Sequence, residues 1–165
     1  GYSDLGVYGI INNPGVTATN APNGASTKST WADKTADEIL NDINNLLLAT
    51  WSASEFDLEG MADHVLIPPT QYALIVTMKV SSAGNISVLQ YILDNNIAKN
   101  QGIDIQILPS RWCVGAGVGG KDRMVAYKNN KDKIKIDLPV TLSRVMTQPV
   151  VQQMSYLTAY AGQIG

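Results

Sequence analysis

Few residues in this chain have the types and spacing to do chemistry. Gly115–Asp122 reads GAGVGGKD, which satisfies G-x-G-x-x-G and stops one residue short of G-x-x-x-x-G-K-[ST]. Backbone amides of such a loop cradle phosphate, and Lys121 would reach it. Two features oppose that chemistry. Asp122 stands where a hydroxyl would meet Mg²⁺, and its carboxylate repels phosphate. The loop also runs into Met124–Tyr127, which reads as a strand, whereas both motifs need a helix N-terminus behind the glycines. The preferred reading is an exposed glycine loop of Gly115, Gly117, Gly119, Gly120 and Lys121. A phosphate-binding enzyme using Gly115–Lys121 is the alternative.

His64 is the only histidine and opens an apolar run without a second base nearby, so a structural role is expected. Cys113 is the only cysteine; a disulfide within the chain and a zinc-cysteine cluster are both excluded. Flanked by Trp112 and Val114, it reads as a buried, inert thiol. Asp33, Asp37, Glu38 and Asp42 crowd the start of a helix and read as dipole and solubility residues. Asn85-Ile86-Ser87 matches a glycosylation sequon, but nothing indicates secretion. No catalytic residue, metal or cofactor is expected, and the chain is not read as an enzyme.

The elements that carry these residues are clearer. NNPG at Asn12–Gly15 is a turn, and Val16–Thr30 is a long extended loop placed to lie across another element or subunit. Thr35 and Glu38 form a capping box for a helix from about Lys34 to Ala53, with Ile39, Leu40, Ile43, Leu46, Leu47 and Trp51 on one stripe. Glu55–Asp63 is a polar connection. His64–Ile67 is a buried strand, and Pro69 suits the first position of a second helix. Ser81–Asn85 is a loop of small residues. Ser87 caps a third helix with Val88, Leu89, Ile92 and Leu93 inward, and Asn95 and Asn96 suit its end through the left-handed conformation. Ile103, Ile105 and Ile107 alternate as a strand, as do Ile134, Ile136 and Leu138 after an NNKD turn. Val150–Tyr160 is a last β-prone run. Helices early and strands late make this an α+β fold, a central mixed sheet flanked by helices.

At 165 residues the chain suits one domain. Only 16% of residues are charged, which fits a subunit buried among neighbours and equally the abundance of Asn, Ser and Thr, and the net charge of −2 gives no electrostatic case for nucleic acid or membrane. No apolar run approaches ~18 residues, so no membrane span is expected.

YGIINNPGVT (Tyr8–Thr17), TADEILNDINNLL (Thr35–Leu47), HVLIPPTQYALI (His64–Ile75), SSAGNISVLQYILDNN (Ser81–Asn96) and DRMVAYKNNKDKIKIDLPV (Asp122–Val140), in that order, resemble the C-terminal half of a tailed-phage major capsid protein, a fold shared with encapsulins. The resemblance implies a connecting segment at 1–30, an axial domain at 31–149 and a strand at 150–165 returning to the peripheral domain and cut short at Gly165. The N-terminal arm, extended hairpin and spine helix of the family would lie upstream of Gly1. It further implies a structural subunit of an icosahedral phage or prophage capsid, present in the virion and assembled in the bacterial cytoplasm. Its partners would be copies of itself in pentamers and hexamers, with scaffold and other virion proteins as further candidates and packaged DNA met only nonspecifically. Ser81, Ser82, Ala83, Gly84, Asn85 and Ile86 would line the capsomer axis. An encapsulin-like compartment shell is the alternative within the fold.

Overall fold

The computed structural model describes residues 8–81, 84–134, 140–150 and 155–163. Thr35 starts the main helix. Its hydroxyl accepts from the Glu38 amide at 3.3 Å, and the Glu38 carboxylate accepts from the Thr35 amide at 2.8 Å, so the capping box closes in both directions. Helix α1 spans Ala36–Ala53. It begins later than Lys34 because Thr35 is extended and Trp31–Asp33 forms a separate 3₁₀ turn. Ile39, Ile43 and Leu47 are fully buried along the expected stripe.

Asp42 overturns its sequence reading. It is buried, and its Oδ2 accepts from Lys34 Nζ at 2.5 Å and from Trp31 Nε1 at 2.8 Å. Lys34 Nζ also donates to the Pro22 carbonyl at 2.8 Å. A buried ion pair is held by such hydrogen bonds, because neither charge can turn to water. The long loop is therefore pinned to α1 of its own chain.

The end of α1 follows the Schellman pattern. Glu55 donates to Ser52 O at 3.1 Å and Phe56 to Trp51 O at 2.9 Å, with Glu55 and Phe56 at φ 57° and 64°. The Trp51 and Phe56 rings meet edge to face at 5.4 Å. In the turn that follows, a Cβ on Gly60 would lie 2.1 Å from Ser54 Cβ, so only glycine fits there.

Strand β1 (His64–Ile67) leads through Pro68 into α2 (Pro69–Thr77), then α3 (Val88–Asn95), α4 (Ile97–Asn100), β2 (Gln106–Pro109) and β3 (Val125–Tyr127). The sheet order is β2-β1-β3, with β1 parallel to β2 and antiparallel to β3. A parallel neighbour requires a crossover, which α2, α3 and α4 supply. Val65, Ile67 and Ile107 join Ile75, Val88, Ile92 and the α1 stripe in one core, while Leu66 and Leu108 lie on the more open face.

Four expectations shift. Ile105 and Ile107 are buried as alternation requires, but Ile103 donates its amide to Ala98 O at 2.9 Å, closing α4, so the ladder begins only at Gln106. Asn96 does not adopt the left-handed conformation. Its backbone is extended, its Oδ1 caps α4 by accepting from the Lys99 amide at 2.9 Å, and its Nδ2 donates to Ile92 O at 2.9 Å, so one buried amide joins two helices. The run Val150–Tyr160 is not one strand: β4 (Val140–Val150) pairs antiparallel with β5 (Ser155–Gln163), since each half needs a partner for its backbone groups. Ile134 sits in the turn, its amide bonded to Asn130 O at 2.9 Å, and Ile136 and Leu138 lie outside the described residues.

Leu47→Ala should cost about 2–5 kcal/mol in chemical denaturation, as for any fully buried leucine. Lys34→Met should cost about 3–5 kcal/mol, because it leaves the Asp42 charge buried without its cation; a loss under half a kcal/mol would show that the pair is not needed.

Candidate functional site

The glycine loop hangs between β2 and β3, at the end of the sheet where β1 and β2 finish. The Ser110 amide donates to Ile67 O at 2.8 Å and starts the loop on the last residue of β1. Arg111–Cys113 forms a 3₁₀ turn with Cys113 fully buried. Burial pushes the Cys113 thiol above its ordinary range, which agrees with an inert role. The loop then closes on itself: Gly117 donates to Lys121 O at 2.7 Å, and Arg123 donates to Cys113 O at 2.9 Å. Gly115, Gly119 and Gly120 take φ of 64°, 68° and 73°, which only glycine adopts freely.

The amide of Gly115, the first of the phosphate motif, donates to Asp122 Oδ1 at 3.2 Å. The carboxylate therefore occupies a position that a phosphate oxygen would need, and β3 follows the loop rather than a helix. Instead of amides, the loop displays apolar side chains. Trp112, Val114 and Val118 are 67%, 55% and 78% exposed. The Arg111 guanidinium lies 4.4 Å above the Trp112 ring, a cation–π contact. The thiol is buried as the sequence suggests, while Trp112 and Val114 on either side of it stand outward.

Between α2 and α3 the chain makes a short hairpin neck. The Val80 amide donates to Ile86 O at 3.2 Å, the Val88 amide donates to Met78 O at 2.9 Å, and Lys79 and Ser87 form an antiparallel bridge. Val80 and Ile86 are exposed at that neck, and the Gly84 amide donates to Ser81 O at 3.3 Å. Of the expected axis-loop residues, Ser81, Gly84, Asn85 and Ile86 are placed; Ser82 and Ala83 lie outside the described residues.

His64 and the four carboxylates all have structural duties. His64 Nδ1 sits 2.7 Å from Asp63 Oδ1, and Asp63 also accepts from the Asn129 amide at 2.8 Å and from Lys128 Nζ at 3.2 Å. Burial alone would raise the Asp63 carboxyl; the Asn129 amide, His64 and Lys128 together outweigh it and hold it below its ordinary value. This clasp ties the start of β1 to the end of β3. Asp33 pairs with Lys28 at 3.1 Å, and Asp37 accepts from the Tyr91 hydroxyl at 2.7 Å. Glu38 accepts from the Ala25 amide at 2.6 Å as well as from Thr35, and those backbone bonds, Ala25 first, lower its carboxyl below 4.5. Among the described residues no group of three or more His, Cys, Asp or Glu side chains converges as a metal site. None of their helices is long and apolar enough to cross a membrane.

What remains at the surface is a set of rigid loops presenting apolar tips, on a fold of known type. The solved capsid of Myoviridae phage XM1 matches it with a TM-score of 0.72 at 22% sequence identity, over 94% of this chain and 48% of that one. At that identity the likeness shows the fold, and the chain spans about half the length of that capsid chain. The fold class is that of a phage capsid protein. The major capsid protein family model matches residues 1–165, and the chain belongs to that family. No curated protein sequence matches the chain.

Glu38→Gln should show a definite pH dependence. The folded carboxyl lies below its ordinary value, so its contribution is complete above that value and disappears as pH falls through the folded one. The stability difference between the two proteins should hold steady above about pH 5.5 and shrink below about pH 4.5. Denaturation curves from pH 7 to about pH 3 check it.

Proposed function

We propose that the chain is the axial part of a phage or prophage major capsid subunit that self-assembles into the pentamers and hexamers of an icosahedral shell. The observation that carries this reading is the fold match over 94% of the chain, within a family matched across residues 1–165. In this reading the segment up to residue 30 connects to a peripheral domain, residues 31–149 are the axial domain, and the strand from 150 returns toward the peripheral domain. The loop Ser81–Ile86 faces the capsomer axis, where small residues let symmetry copies approach closely. The glycine loop is a second contact between subunits. The subunit is a virion component, assembled in the host cytoplasm, and acts by packing against copies of itself rather than by catalysis. Fourteen large apolar side chains stand exposed among the described residues, which suits a surface that assembly covers.

The test is the size of the full-length protein in solution, by light scattering and negative-stain microscopy. Rings of five or six, or closed shells, are the expected result. A monomer that persists at near-millimolar concentration and in crowding salts overturns the reading.

A further inference from the structure

Two exposed surfaces at opposite ends of the three-stranded sheet complement each other in composition and in charge. At the end where β1 and β2 finish, the glycine loop displays Trp112 and Val118, flanked by Arg111 and Lys121, both exposed; Asp122, also exposed, is engaged by the Gly115 amide at 3.2 Å. At the end where β1 begins, the Schellman turn after α1 displays Phe56, 59% exposed, and Leu58. These two alternate with Glu55, Asp57 and Glu59, all three exposed. The pairing of His64 with Gln106 and Tyr127, and of Ile67 with Pro109, fixes which loop is at which end. Four residues of strand separate them, about 13 Å, so the two surfaces do not meet within one copy.

Both surfaces are built to stay exposed. The glycine loop is locked by the hydrogen bonds from Gly117 and Arg123 and by the buried Cys113. The turn after α1 holds Glu55 and Phe56 at positive φ, a conformation that costs non-glycine residues energy. Lys131 and Lys133 stand on the turn after β3 at the acidic end, but they do not alternate with apolar side chains there, and Lys128 is held by Asp63 at 3.2 Å.

We infer that the basic apolar glycine loop of one copy docks on the acidic apolar turn Glu55–Glu59 of the next. The occupant is a second copy of this chain because one chain carries both halves of the complementary pair. A contact between two different patches is head-to-tail, and repeated it closes into a ring when the rotation between copies divides a full turn. The charges orient the encounter, while Trp112 and Phe56 supply the buried apolar area. This rests on the capsid reading and names the surfaces that would join neighbours within a ring.

The experiment is sedimentation of the full-length protein with charge reversals at the two ends. Arg111→Glu with Lys121→Glu, and separately Glu55→Lys with Glu59→Lys, should each weaken self-association about tenfold or more. All four changes in one chain should restore it to within about threefold of the parent, since the pair is then complementary again with its polarity reversed. Trp112→Ala should weaken association while leaving the denaturation midpoint unchanged, because the ring is exposed. A 1:1 mixture of the two double reversals should also associate, since the acidic loop of one meets the basic turn of the other and the two unchanged ends meet as in the parent. Full assembly in both double reversals, or no rescue in the fourfold variant, overturns the inference. Rings or shells that form regardless of these charges leave the capsid reading standing while this contact falls.

Discussion

Everything around α1 depends on one buried ion pair. Lys34 and Asp42 are each about 1% exposed, and they meet at 2.5 Å. The pair is tolerable there because Trp31 Nε1 donates to the same carboxylate oxygen and the Pro22 carbonyl accepts a hydrogen bond from the ammonium. That geometry fixes the 3₁₀ turn against the helix and pulls the loop at Pro22 onto it. Glu38 adds a second tie from the helix start to Ala25, at 2.6 Å. Between them, a segment that would otherwise be a free loop becomes part of the domain, and α1 is oriented before it meets the sheet.

A second constraint comes from the parallel pairing of β1 and β2. It forces α2, α3 and α4 into the crossover, and it places the glycine loop at one end of the sheet and the turn after α1 at the other. Asn96 keeps the crossover compact. Its amide ends α3 and starts α4 with no connecting residue to spare, which brings Ile103 back beside α4 and sets where β2 can start. The outcome is a scaffold whose loops are held by internal hydrogen bonds and whose tips are apolar. Such a surface suits a protein of the major capsid family, because packing among copies needs rigid contacts more than it needs reactive groups.

Local chemistry was legible wherever a few neighbouring residues decide the outcome. The capping box at Thr35 and Glu38, the proline-started α2, the Ser87 cap and the turns at NNPG and NNKD all rest on contacts within about four residues, and each is present. The failure of the phosphate motif was also readable, since Asp122 follows Lys121 directly. The candidate site was less legible. The burial of Cys113 was readable, but nothing in RWCVGAGVGG says that Trp112 and Val114 turn outward.

The sequence by itself determined α1, α2 and α3 with the signals that start them, the core-facing alternation at Ile105 and Ile107, and the absence of a second histidine or cysteine for chemistry. These follow from spacing and residue type alone. Only the tertiary structure decided that Asp42 is buried, that Asn96 joins two helices, and that Val150 ends one strand of a hairpin. It also decided that Trp112 and Phe56 stand outward at opposite ends of one sheet. Burial is set by what packs against a residue rather than by the residue itself, and Phe56 stands outward on a turn with positive φ.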